Sequence, residues 1–134
     1  MTVVLDASAT VASLTEATGP GPWVKRTIEG EALAAPELML FEAANLLRRI
    51  VLRGERDAAS SSLAHADLLN LPVERYPYAF VARRAWEWRH NLTMFDASYV
   101  ALAELLDAPL VTLDRRLAAA PGPRCEILAY PGDD

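Results

Sequence analysis

The sequence predicts an α/β protein with a parallel central sheet, and three observations predict it. The stretches Thr2-Val3-Val4-Leu5 and Pro109-Leu110-Val111-Thr112-Leu113 are short and too apolar for strands with one solvated face. Segments of helical periodicity lie between them, as alternating α/β connections require. A chain of 134 residues, 52% hydrophobic and 23% charged, suits one domain with a substantial core and excludes disorder as its overall state.

The elements follow in order. The first strand runs directly into Asp6-Ala7-Ser8 and a helix that ends near the Gly19-Pro20-Gly21-Pro22 break. A second helix is predicted over 23–30 and a weak, alanine-rich strand over 32–35. Residues 37–53 have helical spacing, with Leu40, Ala43 or Ala44, Leu47 and Val51 on one side and Gly54 placed as the C-terminal cap. A helix over 57–71 leads into an extended segment at 71–74, then helices over 77–90 and 95–107. The strand at 109–113 is followed by Asp114, a short helix to Ala120, a last strand over 125–129 and a loose tail at 131–134.

The longest apolar runs, 78–82 and 99–103, are five residues each, far short of the about 20 that a membrane-spanning helix needs. The first basic residue is Lys25, so no secretory signal is expected and the chain is expected in the cytoplasm. The lone Cys125 excludes an internal disulfide and a multi-cysteine zinc site. Net charge is −5, which argues against a simple polyanion binder. Yet 12 of the 13 basic residues are arginines, whose forks suit phosphate, and Arg49, Arg53, Arg84, Arg89, Arg115 and Arg116 are candidate contacts. With Lys25 the only lysine, there is no Walker loop and no late lysine of the kind that receiver domains and haloacid-dehalogenase-like phosphatases pair with a strand-end aspartate. No Gly-x-Ser-x-Gly elbow is present either. His90 is expected at a helix C-terminus, where it complements the dipole. Trp86 and Trp88, two apart on one helix, cannot both face one core.

Four carboxylates carry the chemistry. Asp6 and Asp114 each follow one of the two apolar strands, which in an open parallel sheet puts both at the ligand-binding rim. Asp96 begins a helix, and Glu42 lies inside one, in an apolar setting where an unpartnered glutamate is costly. The three aspartates could equally be helix N-caps. Glu42, Asn45, Arg49, Arg53 and Arg56 step by 3, 4, 4 and 3, a polar stripe that fits a solvated face or one wall of a site. If the four acids converge, they raise one another's pKa values and call for cations. Oxygen ligands without Cys or His suit Mg²⁺ or Mn²⁺ rather than zinc. Such an ion activates water and neutralises phosphate oxygens, so the set suggests metal-dependent phosphodiester hydrolysis with no histidine base.

These segments resemble the PIN-domain ribonucleases, and among them the small VapC-like toxins of bacterial toxin–antitoxin pairs. The matching stretches are Val3-Val4-Leu5-Asp6-Ala7-Ser8, Ala35-Pro36-Glu37-Leu38 leading to Glu42-Ala43-Ala44-Asn45-Leu46-Leu47-Arg48-Arg49, Leu71-Pro72-Val73, Leu92 through Glu104, and Pro109 through Ala118. The resemblance implies a single PIN domain over 1–134 folded as a three-layer α/β/α sandwich with a central parallel sheet. It implies Asp6, Glu42, Asp96 and Asp114 as the catalytic, metal-binding acids, with Mg²⁺ as cofactor and Mn²⁺ as a substitute. Ser8 and Thr112 match hydroxyl positions that could hold a metal-bound water, and Phe95 stands where the family usually has tyrosine. The implied activity is endoribonucleolytic cleavage of an RNA substrate by metal-activated water. The implied partners are a second copy in a homodimer and a VapB-like antitoxin, with operator DNA bound only through the antitoxin and no membrane. The alternatives are a PIN-type nuclease of RNA processing and a non-catalytic interaction module on the same scaffold.

Overall fold

A computed structural model of the chain describes residues 1–132; the last two residues of the predicted tail lie outside the described residues. The strands are β1 (Thr2–Leu5), β2 (Ala32–Pro36), β3 (Val73–Tyr76), β4 (Leu110–Thr112) and β5 (Ile127–Ala129). They form one sheet in the order β3-β2-β1-β4-β5, parallel at every pairing. The helices are α1 (Ala7–Thr15), α2 (Pro20–Ile28), α3 (Leu38–Leu52), α4 (Ala58–Asn70), α5 (Tyr78–Glu87), α6 (Met94–Leu105) and α7 (Arg115–Ala119). No helix among the described residues is long and apolar enough to cross a membrane.

Strand β1 is buried on both faces, which is why it reads as a continuous apolar run. Val4 faces a layer that includes Met39, Ala43, Leu47, Leu68, Val81, Val100 and Leu102 from α3, α4, α5 and α6. Val3 and Leu5 face the opposite layer, where Val24, Trp23 and Ile28 of α2 pack with Val111. The predicted parallel α/β sandwich is thus the observed one. From β1 the chain winds outward to β2 and β3, then returns across the sheet to β4 and β5. The crevice beyond the carboxyl ends of β1 and β4 is therefore the topological switch point, where open α/β sheets bind ligands.

Local differences from the predicted elements have local causes. Helix α2 starts at Pro20, not residue 23, because prolines are well placed in a first turn whose amides need no intrahelical partner. Gly21 sits so close to the end of α1 that a Cβ there would lie 2.2 Å from the Glu16 carbonyl oxygen. Helix α3 buries Met39, Ala43 and Leu47, one residue round from the predicted Leu40. Gly54 follows its C-cap at φ +69°, as the glycine stop predicts. The extended segment at 71–74 is a true strand shifted to Val73–Tyr76, and the last strand is shorter than predicted, Ile127–Ala129. Helix α5 ends at Glu87, so His90 lies in the following turn rather than at a helix C-terminus. Trp88 is buried and stacked under Arg84, while Trp86 is exposed.

Candidate functional site

All four predicted acids line one cavity of about 240 Å³, together with Ser8, Asn45, Leu46, Arg49 and Tyr99. Each arrives on a different element: Asp6 from the end of β1, Glu42 from α3, Asp96 from α6 and Asp114 from the loop after β4. The stripe on α3 is the cavity wall over its first two turns, since Glu42, Asn45 and Arg49 all line it. Farther along, Arg56 turns away to donate to the Thr15 carbonyl oxygen at 2.8 Å.

Asp6 is the most buried acid and the most constrained. It is the N-cap of α1 and accepts from the Ala9 amide through Oδ1 at 2.8 Å. The Ser8 hydroxyl donates to the same oxygen at 2.8 Å, and the Thr112 hydroxyl donates to Oδ2. Ser8 Oγ in turn accepts from the Leu113 amide at 3.2 Å, and Thr112 Oγ1 from the Asp114 amide at 3.0 Å. The two hydroxyls expected beside a metal-bound water thus serve here to clasp Asp6 and to fix the loop that carries Asp114.

Asp114 caps α7 and pairs with Arg116 at 3.4 Å. Asp96 does not cap its helix. Thr93 does, accepting from the Asp96 amide at 3.1 Å, so the Asp96 carboxylate sits in the first turn, free of capping duty. The capping explanation therefore holds for Asp6 and Asp114 and fails for Asp96. Glu42 Oε1 accepts a 2.6 Å hydrogen bond from the Tyr99 hydroxyl, a contact not expected from the sequence. The available signal was its position three residues after Asp96, on the same side of α6.

The electrostatics are those of an acid cluster. Burial pushes the Asp6 carboxyl above the usual carboxylate range, against the pull of its three donors, and Asp96 adds to the rise. Burial also raises Glu42, with Tyr99 opposing and Asp96 and Asp6 reinforcing. Asp96 is raised by burial and then by Asp114, with Arg116 and Thr93 opposing. Arg49 lines the cavity without an ion pair among the described residues. The other candidate arginines are more committed: Arg84 to Glu104 and Glu87, Arg89 to the Trp86 carbonyl, Arg115 to the Tyr130 carbonyl and Arg116 to Asp114.

The donor set is oxygen-rich and carries excess negative charge, as a hard divalent cation requires. Among the described residues no three acidic, imidazole or thiol groups close around a single point tightly enough to enclose an ion unaided.

Acids gathered at a switch point, on a parallel sheet of this order, define an α/β protein built to handle a charged ligand. The PIN-domain family model matches residues 3–123. Ribonuclease VapC1 of Mycobacterium tuberculosis is 44% identical over 129 residues, covering 92% of this chain and 94% of its own. The crystal structure of PAE2754 from Pyrobaculum aerophilum superposes with a TM-score of 0.69 at 32% identity, over 95% of this chain and 83% of that one. The structure of VapBC2 from Rickettsia felis bound to a DNA fragment from their promoter shares the fold, with a TM-score of 0.65 at 12% identity over 99% and 100% of the two chains. The chain belongs to the PIN-domain family and, within it, to the VapC-like ribonucleases.

Proposed function

We propose that the protein is the toxin of a toxin–antitoxin pair, an endoribonuclease that uses Mg²⁺, or Mn²⁺ in its place, to hydrolyse RNA. The single observation that carries the reading is the convergence of Asp6, Glu42, Asp96 and Asp114 on one cavity at the switch point. These four carboxylates would hold the ion, and the whole chain, 1–134, would act as one PIN domain. When bound, a divalent ion supplies Lewis acidity, making water acidic enough to attack near neutral pH and offsetting charge on the scissile phosphate. The chain's own residues do the rest. Ser8 and Thr112 hold Asp6 in place, and Arg49, at the cavity's edge and without an ion pair among the described residues, binds a phosphate of the RNA strand. Arg53, without an ion pair among the described residues, lines the adjoining groove between α1 and α3 and extends that contact.

The direct test incubates purified, antitoxin-free protein with total RNA and Mg²⁺ or Mn²⁺. Discrete cleavage products that vanish with EDTA and return with excess Mn²⁺ are expected. Intact RNA under all conditions would sink the enzymatic reading and favour an interaction module.

The partners are a VapB-like antitoxin, through which operator DNA is bound, and a second copy of the chain. Support for self-association is an apolar patch next to the site. Phe41 is 80% exposed, Phe95 61% and Tyr78 50%, and Phe41 and Tyr78 share a small cavity with Pro36, Glu37, Leu38 and Ser98. A contiguous exposed apolar patch of this kind marks an interaction site, and aromatics are enriched in protein interfaces. Phe41→Glu is expected to convert a dimer into a monomer in sedimentation equilibrium; a variant that stays dimeric places the interface elsewhere.

A further inference from the structure

Tyr99 has a feature that neither core packing nor the acid cluster explains. It is 2% exposed, yet its hydroxyl donates to Glu42 Oε1 at 2.6 Å, and the Ala7 backbone amide is directed to the same phenol. A phenol is protonated throughout the physiological range, so this hydroxyl is the donor and the carboxylate the acceptor. Tyr99 lies on α6 one turn after Asp96, Ala7 is the first residue of α1 directly after Asp6, and Glu42 belongs to α3. One side chain therefore touches or adjoins three of the four acid-bearing elements. Glu42 Oε2 has no protein donor among the described residues, so the hydrogen bond leaves one oxygen engaged and the other available.

We infer that Tyr99 is a positioning residue, whose phenol orients Glu42 so that its second oxygen is presented to the cation in the cavity. The inference rests on the metal-dependent reading above. A glutamate on a helix has three rotatable bonds, and fixing one carboxylate oxygen removes much of the freedom that binding would otherwise have to freeze. Buried partners of metal-binding carboxylates act in this way, and their loss costs about 10–100-fold in metal affinity or activity.

The test is Tyr99→Phe, which keeps the ring and removes only the donor. Thermal unfolding establishes that it folds. Mn²⁺ binding is then followed by electron paramagnetic resonance on wild type, Tyr99→Phe and Glu42→Gln, alongside a crystal structure of Tyr99→Phe. The expected result is a half-saturating Mn²⁺ concentration raised by about tenfold or more, a Glu42 carboxylate rotated or spread over several rotamers, and cleavage partly restored by raised Mn²⁺. Unchanged Mn²⁺ affinity with Glu42 in its original orientation overturns the inference. Failure of the metal reading looks different: wild type itself binds no Mn²⁺. In that event the orientation of Glu42 in the variant crystal still decides whether Tyr99 positions it. Should Tyr99→Phe not fold, a crystal structure of wild type with Mn²⁺ decides instead: Glu42 meeting the ion through Oε2 with Oε1 still held by the Tyr99 hydroxyl is expected, and Glu42 meeting it through Oε1 with that bond broken overturns the inference.

Discussion

Asp96→Asn is expected to abolish growth arrest and RNA cleavage while leaving the fold intact. Its carboxylate is the one aspartate of the cluster with no capping role, because Thr93 caps α6. It is only half-buried and is repelled by Asp114, so neutralising it removes an unfavourable interaction rather than a structural one. Thermal stability should therefore stay level or rise slightly. Activity should fall by at least about a hundredfold, the upper end of what loss of a mere supporting group costs at a metal site. Asp6→Asn is a poorer probe. Asp6 accepts from Ala9, Ser8 and Thr112, and an amide NH₂ facing these donors would cost about 1–3 kcal/mol of stability. The measurement is induced expression without antitoxin, reading growth and total RNA. Growth arrest by Asp96→Asn equal to wild type would mean that binding, not cleavage, is the toxic activity.

The second large effect is on stability against pH and divalent ions. Asp6, Glu42 and Asp96 all titrate above their ordinary values of 3.8, 4.5 and 3.8, burial being the first cause in each. The folded protein thus binds these protons more tightly than the unfolded chain does. Their contribution to stability is complete below the ordinary values and is lost as pH rises through the raised ones. In the absence of divalent ions, melting temperature is expected to fall from mildly acidic toward neutral pH. Asp57 works the other way through its bond to the Ser60 amide, but it is a solvent-exposed helix cap and its range lies lower. Mg²⁺ should reverse the loss, by about 2.7 kcal/mol when present at a hundredfold excess over its Kd. It should do less at acidic pH, where protons compete for the same carboxylates. A calorimetric series over pH with and without Mg²⁺ checks both signs. A neutral-pH melting temperature indifferent to Mg²⁺ would count against an ion in this cavity.

Much of the fold was legible because it is written in local pattern. Strands β1 and β4 are buried on both faces and so appear as uninterrupted apolar runs, while Gly54 and Asp57 punctuate α3 and α4 by cap chemistry. Strand β3 was harder. It is an edge strand with Glu74 and Arg75 exposed, so only its pairing with β2 distinguishes it from a loop. The two strand ends put Asp6 and Asp114 at one rim, while for Glu42 and Asp96 the residues alone left convergence open and the family resemblance implied it. The division of labour among the acids was not legible. That Thr93 relieves Asp96 of capping and that Ser8 holds Asp6 are local contacts, three and two positions apart, whereas Thr112 reaches Asp6 across 106 positions and Tyr99 reaches Glu42 across 57. Side-chain periodicity carries no information about such distant partners.

The position of β4 has a consequence for biosynthesis. This strand is the neighbour of β1 on the far side of the sheet from β2, yet it emerges only after 109 other residues have been made. Its Thr112 supplies the donor to Asp6 Oδ2, and the loop beyond it supplies Asp114. A growing chain can pair β1, β2 and β3 and still lack one wall of the cavity. The four-acid cavity is therefore complete only once β4 and the loop beyond it have been made and have docked beside β1.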